Sequence, residues 1–132
     1  MPSRSGQSRT GQLLLGLGSL FRLAVGAGYL TAPEAMARLQ LAPDIRDHLD
    51  GRMSTRGFGA LHVGIALATL RAAARNQACR EVAALNLTCA LADTAATLLE
   101  RRDRGAWEPV VLGSVPVDLV DVAWWTNALR YF

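Results

Sequence analysis

Two aspartates near the C-terminus, Asp118 and Asp121, have a spacing that suits acid–base chemistry. They are three residues apart in an apolar segment, so a helix places both on one face, where they can address one ligand or one proton. Trp124 and Trp125 follow within a turn. Together they predict a site with acid, base and an aromatic wall, of the kind that isomerisation or cyclisation of an apolar substrate requires.

Arg22, His62 and Asp93 interrupt the other apolar segments. An ionisable group inside a membrane is costly unless it is paired, so each one is a candidate functional residue. One arginine against three aspartates leaves an excess of negative charge, which favours a carboxyl group that keeps its proton near neutral pH. The predicted catalytic residues are Asp118, Asp121, Asp93, His62 and Arg22. The predicted substrate-binding residues are Trp124, Trp125, Tyr29 and Asn86.

These residues must be positioned by four apolar segments, at about residues 11–32, 57–74, 80–99 and 110–130. Each is close to the ~20 residues that span a bilayer. The chain is long enough for one domain only, so we expect a polar tail over residues 1–10 and a single four-helix membrane domain over 11–132.

Punctuation between the segments predicts how they connect. Pro33 ends the first segment, because proline cannot continue a helix interior. Glu34 to Leu41 predicts a short amphipathic turn at the membrane interface, and the charged stretch from Pro43 to Arg56 predicts a solvated connection. The later connections are short, which makes successive helices antiparallel neighbours. Arginines are divided almost equally between the two sides, so the charge distribution gives no membrane orientation.

Each segment carries one narrow polar stripe at helical spacing. A water-soluble amphipathic helix has the inverse pattern, with an apolar stripe and a broad charged face. Hydrophobic residues make up 51% and charged residues 19% of the chain, but the mean hydropathy is only +0.18, so the patterning has to decide. The stripes are Ser19, Arg22, Gly26 and Tyr29; Thr55, Gly59, His62, Ala66 and Thr69; Asn86, Cys89, Asp93 and Thr97; and Ser114, Asp118, Asp121 and Trp125.

The stripes predict an all-α fold, a four-helix antiparallel transmembrane bundle with a polar interior, in the cell membrane. The alternative is a soluble helical bundle whose stripes face water. Counting ~1.5 Å per residue along alternating helices places the five candidate catalytic residues in one half of the bilayer. This convergence is independent of the stripe pattern.

Other classes of site are less well matched by the sequence. The basic residues do not form a face with interleaved aromatics, so nucleic-acid binding is not expected. Cys79 and Cys89 fit neither a redox motif nor a zinc spacing. We expect no metal and no cofactor, although His62, Asp93 and Asp118 lie at similar depth. The expected partners are an apolar small molecule or lipid and the membrane, with a homodimer or a larger membrane complex as further possibilities.

Residues 21–70 resemble the small membrane proteins of the DoxX-like group and related actinobacterial families. The segments FRLAVGAGYLTAPEAMARLQLAP and RMSTRGFGALHVGIALATL carry the resemblance. It implies a four-helix membrane fold and, for some members, a role as a small subunit of a membrane redox complex. The matching residues are Arg22, Gly26, Pro33, Ala37, Arg38, Arg56, Gly57, Gly59 and His62.

Three functions are therefore open at the level of sequence. In the first, the buried cluster carries acid–base chemistry on an apolar substrate. In the second, the chain is a non-catalytic accessory subunit whose buried charges pair with a partner, or Arg22 simply pairs with Asp93 to fix helix register. In the third, the chain is a proton-coupled small transporter.

Overall fold

A computed structural model describes residues 4–39 and 49–132, and within them all regular structure is helical. The predicted all-α class is therefore confirmed. Three stretches are long and apolar enough to cross a membrane: Arg9–Thr31, Met53–Arg75 and Cys79–Asp103. The helices are α1 (Arg4–Thr31), α2 (Pro33–Leu39), α3 (Leu49–Arg75), α4 (Cys79–Arg104) and α5 (Pro109–Leu129).

The helix ends agree with the sequence in part. Pro33 separates α1 from α2 as predicted, and it stands at the first position of α2, where its missing N–H costs nothing. The solvated connection expected over residues 43–56 is wrong in its second half, because α3 already begins at Leu49. No proline occurs between Pro43 and α3, and the single Gly51 costs a helix only about 1 kcal/mol. Residues 43–48 lie outside the described residues.

Two tight turns join the last three helices. In the turn between α3 and α4, Asn76 and Ala78 have positive φ angles of 50° and 54°, and the N–H of Gln77 donates to the carbonyl of Ala72 at 3.1 Å. After α4, Gly105 takes the left-handed conformation that commonly caps a helix C-terminus, with φ 69°. These short turns place α3 beside α4 and α4 beside α5.

The closest helix packing is between α1 and α3, and it depends on two glycines. A Cβ atom on Gly26 would lie 2.9 Å from the Gly59 carbonyl oxygen, and one on Gly59 would lie 2.6 Å from that of Gly26. Small residues at such a crossing let two membrane helices approach backbone to backbone. This contact fixes where the neighbouring side chains of α1 and α3, Arg22 and His62, stand relative to each other.

The distribution of burial is the reverse of that in a water-soluble protein. Large apolar side chains of α1 face outward, with Leu13 65% and Phe21 63% exposed, and Val120 of α5 is 66% exposed. The interior is small or polar, since the fully buried side chains include Ser19, Thr69 and Asn86. A single soluble chain rarely exposes so much contiguous apolar surface, whereas a lipid environment favours it. The polar stripes predicted from the sequence point inward.

Candidate functional site

An open cleft of about 440 Å³ lies among α1, α3, α4 and α5, with Met36 and Leu39 of α2 along its edge. All five predicted catalytic residues line this cleft. Tyr29, predicted as a substrate contact, lines it as well. The convergence inferred from depth along separate helices is therefore present in the structure, and the roles of the residues stay predictions. The ionisable residues that line it are Arg22, His62, Asp93, Asp118 and Asp121.

Arg22 and Asp121 form an ion pair at the floor of the cleft. Arg22 Nη2 donates to Asp121 Oδ2 at 2.8 Å, and Trp125 Nε1 donates to Asp121 Oδ1 at 2.7 Å. The guanidinium of Arg22 also lies 5.8 Å from the centre of the Trp125 ring, within the range of a cation–π interaction. Both oxygens of Asp121 thus accept a hydrogen bond, which fixes the orientation of its carboxylate.

Arg22 keeps one unused donor. Its side chain is only 3% exposed, and its Nη1 atom is buried without a hydrogen-bond acceptor in the part of the chain that the structure describes. Leaving a buried donor unsatisfied costs about 1–3 kcal/mol, more for a charged group. A buried guanidinium with a free N–H at the wall of a cleft is therefore a candidate contact for a ligand.

Asp118 and Asp93 are held less tightly than Asp121. Thr97 Oγ1 donates to Asp118 Oδ2 at 2.7 Å, which leaves the second oxygen of Asp118 for a ligand. Asp93 makes no hydrogen bond or ion pair with any described residue, although its charge interacts with those of Arg22, Asp118 and Asp121. The cleft therefore contains one fixed carboxylate and two that are available.

His62 lies against an aromatic wall. Its ring centre is 4.0 Å from that of Phe58 at 45°, and Phe58 in turn meets Tyr29 edge-on, with 5.3 Å between ring centres. Within residues 4–39 and 49–132, no hydrogen bond involves the His62 imidazole, so both ring nitrogens are available to a ligand or a proton. His62 is 8% exposed.

Three of the predicted substrate contacts lie outside the cleft. Trp124 Nε1 donates to the carbonyl of Leu14 at 3.1 Å and its ring faces a separate groove. Trp125 is fully buried behind Asp121. Asn86 joins α3 to α4, donating to Thr69 Oγ1 at 2.8 Å, and it is a packing contact because its buried position is one layer away from the cleft.

Sequence reasoning missed several residues that line the cleft. Thr97 and Ser114 stand on the predicted polar stripes, and that position is the signal that could have identified them. Phe21 and Phe58 gave no such signal, because an aromatic residue in an apolar helix is indistinguishable from a lipid contact. Among the described residues, no group of three or more His, Cys, Asp or Glu side chains is arranged to hold a metal ion.

A second cavity, the α1–α5 groove, has a volume of about 450 Å³ and an almost entirely apolar lining. It lies between the outer faces of these two helices. Phe21, Val117 and Asp121 line both the groove and the cleft, so the two cavities adjoin. The other residues of the α1–α5 groove are Leu17, Gly18, Pro116, Val120 and Trp124.

Comparison with known proteins identifies no relative for this arrangement. No protein-family model, curated protein or solved structure matches the chain. The function must therefore be inferred from the chemistry of the cleft.

Proposed function

We propose that this protein is a four-helix antiparallel bundle in the cell membrane, and that its cleft performs acid–base chemistry on an apolar molecule, as an isomerase or cyclase does. Kinship with the DoxX-like group is part of the proposal, since that group implies such a fold. The observation that carries the chemistry is the contrast between Asp121, held through both oxygens, and Asp93 and His62, which bind no described residue.

The fourth membrane crossing in this proposal is α5. Its 21 residues correspond to ~30 Å at 1.5 Å per residue, the thickness of the hydrocarbon core. Asp118 and Asp121 lower its hydropathy, but both line the cleft rather than the lipid face. Its outward side chains, such as Leu119 and Val120, are apolar and more than half exposed. An inward-facing charge is the position that a membrane helix tolerates.

The division of labour among the carboxyl groups supports acid–base chemistry. Sites of this kind combine groups whose different surroundings give them different tasks. Arg22 and Trp125 keep Asp121 in place as a fixed counter-charge. Asp93, Asp118 and His62 can then take a proton from one carbon of the substrate and return it at another, since each has at least one free oxygen or nitrogen facing the cleft.

The arrangement also weighs against the accessory-subunit hypothesis. That hypothesis requires buried charges that pair with another protein. Arg22 instead finds its partner Asp121 within the same chain, at 2.8 Å, so its burial needs no second subunit to explain it.

A test of the proposed chemistry need not know the substrate. Moving a proton to or from carbon in D₂O leaves deuterium in the product, so the purified protein is incubated in D₂O with a lipid extract of its native membranes. Mass spectrometry should find species that gain deuterium only when the protein is present. Asp93→Asn and Asp118→Asn should each lower the rate of labelling about 10²-fold or more, the usual contribution of an acid or base.

Asp103→Asn is the matched control, because this carboxylate of α4 is exposed and pairs only with its neighbour Arg102. It should label at the wild-type rate. Absence of any protein-dependent deuterium, or equal labelling by all three variants, would show that the acid–base function is wrong.

A further inference from the structure

We infer that the ligand of this cleft is a neutral amphiphile, whose carbonyl oxygen accepts a hydrogen bond from Arg22 and whose hydrocarbon chain lies in the α1–α5 groove. The choice of a carbonyl among neutral oxygen groups rests on the proposed acid–base function. The polar end, its charge and the chain are each supported by a separate observation.

The polar end is indicated by Arg22. Its Nη1 atom is buried and has no acceptor among the described residues, and the residue lines the cleft. An oxygen of a ligand in the cleft supplies the missing acceptor. Since the other terminal nitrogen, Nη2, is already bound to Asp121, the guanidinium is fixed and does not need to reorganise when a ligand arrives.

The charge of the cleft selects a neutral head group. Three carboxyl groups and one guanidinium line it, and His62 is the only other titratable base among its described lining residues. A fatty acid or a phosphate would bring a further negative charge into this excess and be repelled. A carbonyl group satisfies Arg22 without adding charge.

A carbonyl also matches the proton transfer. The Asp93 carboxylate takes a proton from the carbon next to the carbonyl, the C–H electron pair moves into a new carbon–carbon double bond, and the carbonyl π electrons move onto the oxygen. Arg22 Nη1–H donates to that oxygen as its negative charge develops. Return of the proton from Asp93 to a conjugated carbon restores the carbonyl and shifts a double bond, with no oxidant or reductant.

The position of the chain follows from the continuity of the two cavities. Because Phe21, Val117 and Asp121 line both, a molecule whose head contacts Arg22 can pass between Phe21 and Val117 into the α1–α5 groove. The groove has a wall of Leu17, Val120 and Trp124 and faces the lipid. A hydrocarbon chain is the part of an amphiphile that such a wall accepts.

The inference is tested by photolabelling of the full chain in phosphatidylcholine nanodiscs. The probe is 2-tridecanone with a diazirine at the far end of its chain, and cross-linked peptides are mapped by mass spectrometry. Labels should fall within residues 13–21 and 116–124. Unlabelled 2-tridecanone should compete at a concentration about tenfold or more below that needed for tridecane or dodecanoate, as expected for one hydrogen bond to a charged donor.

Two variants of α5 locate the chain. Val120→Trp fills the α1–α5 groove and should reduce labelling about tenfold, whereas Leu119→Trp, on the adjacent outward position and outside the lining of the groove, should not change it. Both positions are more than half exposed, so neither variant disturbs the interior. Equal competition by tridecane or dodecanoate, or full labelling of Val120→Trp, overturns the inference.

The test is separate from that of the proposed function, because photolabelling needs no turnover. Selective labelling by a protein that incorporates no deuterium supports the ligand class and refutes the chemistry. Deuterium incorporation by a protein that shows no selective labelling refutes the ligand class alone.

Discussion

Arg22 has the most demanding position of any residue in this protein. It is almost fully buried in the middle of an apolar helix, and Asp121 compensates its charge with one hydrogen bond while Trp125 contributes its ring and orients the carboxylate. Removing one partner of a buried ion pair leaves an uncompensated charge, whereas replacing both partners with apolar groups is often neutral. The pair is therefore a conditional contribution to stability, present only while both residues are there.

Asp121→Asn should lower the free energy of unfolding by about 3–5 kcal/mol, because Arg22 would lose its counter-charge in a buried site. Combining it with Arg22→Met should recover most of that loss. The measurement is reversible unfolding in mixed micelles with increasing sodium dodecyl sulfate.

Asp103→Asn provides the comparison for this prediction, since its ion pair with Arg102 is exposed and contributes at most about 1 kcal/mol. A protein in which Asp121→Asn unfolds like the wild type, or in which the double variant is the least stable of all, would contradict the role given to the pair.

At the scale of the element, each helix works as a cylinder with one inward stripe, and glycine decides how close two cylinders come. Gly26 and Gly59 lie at the crossing of α1 with α3, where any side chain would meet backbone atoms. Gly64 of α3 lies in open space. The same residue type therefore has opposite consequences at two positions of the same helix pair.

Gly26→Ala should destabilise the protein by about 1–3 kcal/mol, since overpacking forces the backbones apart, and should lower the rate of deuterium labelling because His62 is displaced from the cleft. Gly64→Ala should have no such effect, or should stabilise α3 slightly through helix propensity. Both are measured by the unfolding and labelling assays described above. Equal effects of the two substitutions would show that the α1–α3 contact is not close-packed.

The stripes show how far the sequence could predict this fold. Helical periodicity and depth were sufficient to bring Arg22, Asp93 and Asp121 to one level inside the protein, because both quantities depend on spacing along one helix. They were insufficient to choose the partner of Arg22, which pairs with Asp121 and not with Asp93. That choice depends on which helix stands beside α1, and no single helix contains this information. Asn86 was misplaced for the same reason.

At the scale of the whole molecule, the apolar residues face outward and the ionisable ones face a shared cleft. Three stretches meet the requirements for membrane spans by length and apolar character, while α5 is the span that the inward aspartates disguise. The number of crossings decides on which sides of the membrane the two ends of α5 lie. A four-helix bundle and a three-span protein with a peripheral α5 therefore differ in a measurable way.

With four crossings, the two ends of α5 should lie on opposite sides of the membrane. Cysteine is introduced either at Gly105, in the turn before α5, or at Arg130, just after it, in a background where Cys79 and Cys89 are replaced by alanine. A membrane-impermeant maleimide should label one of these positions in sealed vesicles and the other only after permeabilisation. Labelling of both positions from the same side would show that α5 does not cross.

The 99 residues that separate Arg22 from Asp121 in the chain also set an order of biogenesis. The ribosome delivers α1 to the membrane with its arginine before the compensating aspartate has been translated, at a cost of about 2.5–3.5 kcal/mol on insertion scales. Asn86, by contrast, meets Thr69 within a helical hairpin whose turn is only three residues long. The first helix to enter the bilayer thus depends on the last, and quality control of membrane insertion can detect an unfinished molecule through the charge that Arg22 still exposes to lipid.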